Sequence, residues 1–235
     1  NIDCMAVNYM ENGTLPKPAP INAFNKAGST VIGEGDSMVL SDIPASIFEG
    51  EAELGLVIGK RAKNVPASEA MDYIFGYFNF IDGSARDMPT PFNVFFEAKN
   101  RDTFAPLGPW IVTADEFDDP QNLDVKLWVN GDLMQDFNTD DMAHKIPRLI
   151  EYLSAVHTLE VGDVIATGTN HGGLNPFQDG DKVELEGEGC GRLTINIEDE
   201  LKRTWARVTR SGHTSKEGNE GRFTPQLTGK YAPGS

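Results

Sequence analysis

Glu51-Ala52-Glu53-Leu54-Gly55-Leu56-Val57-Ile58-Gly59 is the stretch whose reading decides the fold. Strand alternation puts Ala52, Leu54, Leu56 and Ile58 on one face and Glu51 and Glu53 on the other. Two carboxylates at i and i+2 on one strand face repel each other, and a divalent cation relieves that repulsion directly. The plain alternative is an acidic edge strand facing water. Asp82 closes a second apolar strand, residues 77–81, where burial discourages a charge. Three oxygen donors of this kind suit Mg²⁺, Mn²⁺ or Ca²⁺ rather than zinc.

Around this stretch, short apolar runs punctuated by Gly, Pro and Asp dominate. Residues 2–7, 54–59, 78–81, 125–129, 164–166, 182–185 and 193–197 all read as strands. The clearest hairpin joins residues 125–129 to 132–137 through Asn130-Gly131, the pair that suits a type I′ turn. Leu193, Ile195 and Ile197 alternate with Thr194 and Asn196, so that strand buries one face. Helices are few. Residues 68–75 form one candidate, with Ser68 as its cap. Residues 146–156 form the better one, because Ile146, Leu149, Ile150 and Leu153 recur at helical spacing. Many strands with scattered helices predict a β-rich α+β fold. The Gly-rich, polar C-terminal segment reads as an irregular tail, with Phe223, Leu227 and Tyr231 as candidate anchors to a surface.

Composition narrows the function classes. The 235 residues carry 20 Lys+Arg against 36 Asp+Glu, a formal net charge of −16. That balance argues against wrapping nucleic acid or lying on an anionic membrane. No apolar stretch approaches the ~18 residues of a membrane span. No Lys/Arg-flanked apolar segment opens the chain, so no signal peptide is expected, and a start at Asn1 points to a trimmed upstream portion. Cys4 and Cys190 are two distant thiols, read as reduced, which places the protein in the cytoplasm.

Further polar residues sit near the carboxylates in the pattern. Lys99, in Glu97-Ala98-Lys99-Asn100, is either a ligand for a substrate carboxylate or enolate, or an exposed loop lysine. Arg86 follows Asp82 by four residues and either clamps a carboxylate or pairs with Asp87. Thr167-Gly168-Thr169-Asn170-His171-Gly172-Gly173 follows an apolar strand. Its glycines allow close approach of a ligand, and Thr169 can donate to an oxyanion; a turn without a ligand is the alternative. Of His144, His157, His171 and His213, His171 is best placed for chemistry, while His157 caps the helical stretch. No HExxH, Walker, dinucleotide GxGxxG or Gly-x-Ser-x-Gly pattern is present, which argues against zinc hydrolases, phosphate-loop proteins and serine-triad hydrolases.

Taken together, these positions resemble the fumarylacetoacetate hydrolase family. The pieces that carry the resemblance are Glu51-Ala52-Glu53-Leu54 running to Val57-Ile58-Gly59-Lys60, and Asp82 with Ser84-Ala85-Arg86-Asp87. Lys99 follows with Asp102-Thr103-Phe104-Ala105-Pro106-Leu107-Gly108-Pro109-Trp110, and then Gly162-Asp163-Val164-Ile165-Ala166-Thr167-Gly168-Thr169. They keep the family's order and spacing, and Asn8-Tyr9 resembles its N-terminal motif. The resemblance implies a mixed β-sandwich roll over residues 1–205, with a strand and a short lid region in 1–50 and the irregular tail in 206–235. It implies a homodimer with one Mg²⁺, Mn²⁺ or Ca²⁺ per site. The metal carboxylates map onto Glu51, Glu53 and Asp82, the active-site lysine onto Lys99 and the substrate-contacting threonine onto Thr169. Arg86 takes the place of an arginine near the substrate in some members.

By the same resemblance, the expected substrate is a small oxo acid, a β-diketo or acylpyruvate acid. The leading expectation is metal-dependent hydrolysis of its C–C bond. Such an acid chelates a cation through its carboxylate and α-oxo oxygens, and the cation stabilises the departing enolate. The alternatives are decarboxylation or isomerisation of an oxaloacetate-like acid, and a non-catalytic binder of metal and oxo acid. One departure stands out. Many members carry a His-x-x-Glu pair after Asn-Tyr, on a lid. Here Asn12 and Leu15 occupy those places, and Pro16, Pro18 and Pro20 crowd a short lid. The expectation is that His171 or Glu11 replaces the pair, or that the chemistry needs no such base.

Overall fold

A computed structural model describes residues 1–89, 95–217 and 224–232. The strands are β1 (Ile2–Met5), β2 (Ala23–Lys26), β3 (Val31–Ile32), β4 (Ser37–Leu40), β5 (Ile47–Ile58), β6 (Ile74–Arg86) and β7 (Ala105–Thr113) in the first half. The second half adds β8 (Asp124–Val129), β9 (Asp132–Asn138), β10 (Val164–Ala166), β11 (Lys182–Gly187), β12 (Arg192–Asp199), β13 (Thr204–Trp205) and β14 (Gln226–Thr228). The α-helices are α1 (Phe95–Lys99), α2 (Ile146–Val156) and α3 (Arg210–Glu217). The fold is a β-rich α+β architecture with a curled sheet.

One mixed sheet runs β2-β1-β10-β5-β6-β7-β3 and a second runs β4-β12-β11-β8-β9. Their main core joins Leu54, Leu56 and Ile58 of β5 to Leu127, Leu185 and Ile195 of the second sheet, and Leu149 and Leu153 of α2 pack into it. A smaller cluster that includes Cys4, Val57, Phe78, Phe80 and Ala166 covers the opposite face of the first sheet. Odd-numbered residues of β5 point to that second face, so the glutamates share it. Both cysteines are buried free thiols.

β5 is an interior strand, flanked by β10 and β6, and all twelve of its residues are buried. The acidic edge strand is therefore excluded. β5 is also twice as long as the apolar run 54–59, because Glu49-Gly50-Glu51 continues the ladder without looking hydrophobic. Asp82 likewise does not close a strand. β6 carries on through it, with Asp82 opposite Glu51 and Arg86 opposite Ile47. The charges stay inside the sheet because cationic side chains meet them.

The β8–β9 hairpin turns at Asn130 (φ 53°) and Gly131 (φ 87°), both left-handed as a type I′ turn requires. α2 covers the expected residues, and His157 follows as its C-cap. Residues 68–75 do not form an α-helix. A 3₁₀ segment spans Ala67–Tyr73 behind Pro66, Ser68 caps nothing, and Ile74 is drawn into the β6 ladder. The C-terminal segment is not irregular throughout. Thr204 and Trp205 pair with β14, and α3 docks through Arg210. Those are long-range contacts that no local pattern announces. Tyr231 Oη reaches Asp42 at 2.9 Å, Leu227 is exposed, and Phe223 lies outside the described residues. Among the described residues, no helix is long and apolar enough to cross a membrane.

Candidate active site

The β5–β6 ladder builds the centre. Directly opposed residues share a face, so Glu51 and Asp82 meet across the strands, with Glu53 and Glu49 one step to either side. Donor oxygens of Glu51, Glu53 and Asp82 lie within 4.8 Å of one another, and all three residues are buried. Lys99, at the end of α1, places Nζ 2.5 Å from Glu51 Oε2 and 2.5 Å from Asp82 Oδ2. It is buried, so the exposed-loop reading falls. Arg86 does not pair with Asp87, which instead accepts from Ser46 Oγ. Its Nε donates to Glu49 Oε2 at 3.0 Å and its Nη2 donates to Glu51.

The turn after β10 closes the other side. Gly168 N donates to Glu53 Oε2 at 2.6 Å. Gly168 has φ +92°, and a Cβ there would lie 2.9 Å from Asn8 Cβ. Asn8 pins the turn, donating through Nδ2 to Thr167 O at 2.8 Å and to His144 O at 3.1 Å. Thr169 Oγ1 accepts from Gln135 Nε2 at 3.0 Å, and Gln135 Oε1 accepts from Ala52 N. One buried amide thus ties this turn to the strand that carries Glu51 and Glu53.

His171 and Glu11, expected as alternatives, form a pair. His171 Nδ1 lies 2.5 Å from Glu11 Oε1, and His171 N donates to Glu11 Oε2 at 2.9 Å. With the proton on Nδ1, Nε2 is left as the free lone pair, and it sits 4.0 Å from Glu51 Oε1. A cavity of about 60 Å³ is lined by Glu51, Glu53, Arg86, Lys99, Thr169 and His171, with Phe24 and Phe95 among its apolar walls. The two phenyl rings stack at 4.8 Å.

Several residues of the centre escaped the sequence reading. Lys26 of β2 is buried and donates to Asp82 Oδ1 at 2.6 Å and to Lys99 O at 2.5 Å. A lone lysine in a polar segment carries no signal. Glu49 is buried and held by Arg86 and Arg210. Its signal was available, two residues before Glu51 on the same face. Gln135 could not be singled out from a solvated hairpin.

The surroundings set the protonation of these groups. Burial opposes the charge on Glu51, but Lys99 and Arg86 outweigh it and hold its carboxyl well below the usual range. Glu53 goes the other way. Burial, reinforced by Asp82 and Glu51, pushes it well above that range despite the Gly168 bond. Burial also opposes the Lys99 charge, yet Asp82 and Glu51 raise it. A crowded, dry carboxylate set with one member driven toward protonation fits a hard divalent cation, which takes oxygen donors and relieves the crowding.

The sequence profile of the fumarylacetoacetate (FAA) hydrolase C-terminal domain matches residues 2–198. The chain belongs to the fumarylacetoacetate hydrolase family. The oxaloacetate tautomerase of Bacillus subtilis (strain 168) is 36% identical over 208 residues, 84% of this chain and 69% of its own. The crystal structure of a maleylpyruvate hydrolase from Sphingobium sp. SYK-6, in complex with manganese(II) and pyruvate, superposes with a TM-score of 0.75. It is 39% identical and covers 84% of this chain and 70% of its own. That of a 2-hydroxyhepta-2,4-diene-1,7-dioate isomerase from Mycobacterium marinum gives 0.77 at 38% identity, over 85% and 74%. Fumarylacetoacetate hydrolase relatives thus hydrolyse, isomerise or tautomerise, and they support metal-dependent enzymatic processing of oxo acids by this chain.

Proposed function

We propose that this chain hydrolyses a C–C bond in an acylpyruvate-type oxo acid, with a divalent cation held by Glu51, Glu53 and Asp82, and that residues 1–205 form the catalytic unit. The observation that carries this reading is the His171–Glu11 pair beside the carboxylate cluster. It supplies the base that the departed lid motif would have supplied. When bound, the cation supplies positive charge for the enolate oxygen that develops as the bond breaks.

The chain's own groups account for the remaining steps. Arg86 and Lys99 line the cavity as positive charge for the substrate carboxylate and for the developing enolate. Thr169 Oγ1 lines the same wall and orients the acid by hydrogen bonding. Glu11 holds His171 with its proton on Nδ1, so Nε2 takes a proton from water. The resulting hydroxide adds to the distal carbonyl carbon. The C–C bond then breaks, its electron pair passes to the pyruvate enolate, and His171 returns the proton to the enolate carbon. The products are pyruvate and a carboxylic acid.

The test is acetylpyruvate with Mg²⁺, followed by NMR. Pyruvate and acetate are expected, and His171→Ala is expected to lose about 10²–10⁴-fold in turnover. Glu11→Gln should lose at least about tenfold, because the tautomer is no longer fixed. Both variants should keep the Tm gain that Mn²⁺ gives. Turnover unchanged in both variants refutes the base assignment.

A second reading is tautomerisation of an oxaloacetate-like acid. The likeness to the Bacillus subtilis tautomerase favours it. His171 alone could carry a proton between carbon and oxygen. Acetylpyruvate left intact while oxaloacetate interconverts between keto and enol forms would select this reading.

A further inference from the structure

Two Asn-Gly pairs occur in the chain, Asn12-Gly13 and Asn130-Gly131. They share a backbone conformation: Asn12 and Gly13 have φ 54° and 75°, and Asn130 and Gly131 have φ 53° and 87°. All four residues are exposed. The pairs differ in how the asparagine amide is held. Asn130 Nδ2 donates to Asp181 Oδ1 at 2.8 Å, and Asn130 Oδ1 accepts from Lys182 N at 2.9 Å, so both ends of that amide are clamped. Among the described residues, the Asn12 amide has no hydrogen-bond partner, and neither has Gly13 N.

An asparagine side chain followed by glycine is open to attack by its own backbone, because glycine carries no Cβ to shield the main-chain nitrogen. The turn must open to bring Gly13 N to Asn12 Cγ, and little opposes this. Thr14 N donates to Glu11 O and Leu15 N to Met10 O, each at a long 3.2 Å. Asp141 holds Asn12 through its main-chain N at 2.9 Å, which leaves the peptide between Asn12 and Gly13 free to rotate. A Cβ at Gly13 would meet nothing within 4 Å, so the rotation has room. Glu11 is left-handed at φ 55°, and opening releases that strain.

We propose that Asn12 is a self-modification site: Gly13 N captures its side-chain carbonyl carbon, and residue 12 becomes aspartate or isoaspartate. Gly13 N gives its proton to solvent base and bonds to Asn12 Cγ. The Cγ–Nδ2 bond breaks, and Nδ2 leaves as ammonia with a proton from water. Water then opens the cyclic imide. Cleavage of the bond to Cγ gives aspartate, and cleavage of the bond to the main-chain carbonyl carbon gives isoaspartate. Water is consumed and ammonia released, with no other reactant. Either product places a carboxylate next to Glu11, on the turn that Asp141 grips. Isoaspartate also adds a methylene to the main chain, which displaces the bonds of Thr14 and Leu15 and draws Glu11 away from His171. That effect on the base rests on the hydrolase reading above; the modification itself does not.

The experiment ages the full chain in mildly alkaline buffer and follows it by peptide mass spectrometry. The readout is the mass gain of amide-to-acid conversion, with methyl transfer by a protein isoaspartate O-methyltransferase marking the isoaspartate form. Asn12 is expected to convert about tenfold or more faster than Asn130, whose amide must first lose two hydrogen bonds. Acetylpyruvate turnover should fall in step, with the isoaspartate form at about a tenth or less of the starting rate, as for Glu11→Gln. The imidazole nitrogen NMR signals of His171 should change in step as well. Asn12→Gln, whose longer side chain closes a less favourable ring, should neither convert nor lose turnover with age. Conversion at Asn130 as fast as at Asn12, or none at Asn12, overturns the inference. Wild type and Asn12→Gln that lose turnover alike overturn its effect on the base. Fresh wild type without turnover refutes the hydrolase reading instead, and the mass and NMR readouts then decide this inference alone.

Discussion

Glu53→Gln removes one charge from the centre and leaves its shape intact. The donor oxygens of Glu53, Glu51 and Asp82 lie within 4.8 Å of one another. At an effective dielectric of about 20, two unit charges so far apart repel by roughly 3.5 kcal/mol. Lys99 contacts Glu51 and Asp82 and offsets part of this. Glu53 is the member left raised, by burial first and then by Asp82 and Glu51. A carboxyl whose folded pKa exceeds its unfolded value, about 4.3, contributes stability below that value. The contribution is lost as pH rises through the folded pKa. Gln carries no such penalty, and its amide oxygen still accepts from Gly168 N. Metal-free Glu53→Gln is therefore expected to melt at or above wild type, with a gap that widens as pH rises.

Adding cation should reverse the order. A ligand at about 100 times its Kd stabilises by about 2.7 kcal/mol, or about 5–11 °C in Tm for a chain of this size. Wild type should gain that with Mn²⁺. A loss of about 100-fold in affinity leaves the same Mn²⁺ near Kd and a gain of about 0.4 kcal/mol, under about 2 °C. Differential scanning fluorimetry with and without MnCl₂, across the pH range, reads both effects. An equal Mn²⁺ gain in both proteins would refute the carboxylate cluster as the cation site. A metal-free variant that melts well below wild type at alkaline pH would refute the electrostatic argument.

Gly168→Ala forces a Cβ to 2.9 Å from Asn8 Cβ at a φ of +92°. It should cost about 1–3 kcal/mol by urea unfolding and weaken Mn²⁺ binding, because Gly168 N positions Glu53. Away from the site, Arg203 is fully buried and held by Asp199 at 2.6 Å. Asp199→Asn removes that guanidinium's counter-charge and leaves it on the carbonyls of Leu40, Ser41 and Ile43, which should cost about 3–5 kcal/mol in urea unfolding while any remaining folded protein keeps its Mn²⁺ affinity.

The acidic face was legible in the sequence because a strand writes its faces every second residue. Glu51 and Glu53 share a face by that rule, and Asp82 joins them because the neighbouring strand is antiparallel and in register. The strand ends were not legible. Glu49-Gly50 and Asp82-Gly83 break an apolar pattern, yet both lie deep in the sheet, where the burial of Lys26, Lys99 and Arg86 compensates their charge. The compensating cations were partly hidden. Lys99 and Arg86 stood near carboxylates in sequence, while Lys26 reaches Asp82 across 56 residues and Arg210 reaches Glu49 across 161. The residues 68–75 show the reverse error, where a local helical preference lost its last residues to the long-range β6 ladder.

The His171–Glu11 pair takes this argument one step further. Each residue stood out alone, but 160 positions separate them, and a third residue joins them. Asp141 Oδ2 accepts from Asn12 N at 2.9 Å and from Asn170 Nδ2 at 3.0 Å, while Asp141 O accepts from Met10 N. One aspartate therefore grips the turn that carries Glu11 and the residue before His171. Glu11 and Asn12 hold left-handed backbone at φ 55° and 54°, a conformation costing roughly 1–2 kcal/mol per non-glycine residue. That strain persists only where surrounding contacts over-determine it, and Asp141 provides them. The pair proposed as the base is thus assembled by docking two loops onto a shared carboxylate, in place of two residues spaced along a lid. Spacing rules read the second arrangement and are blind to the first.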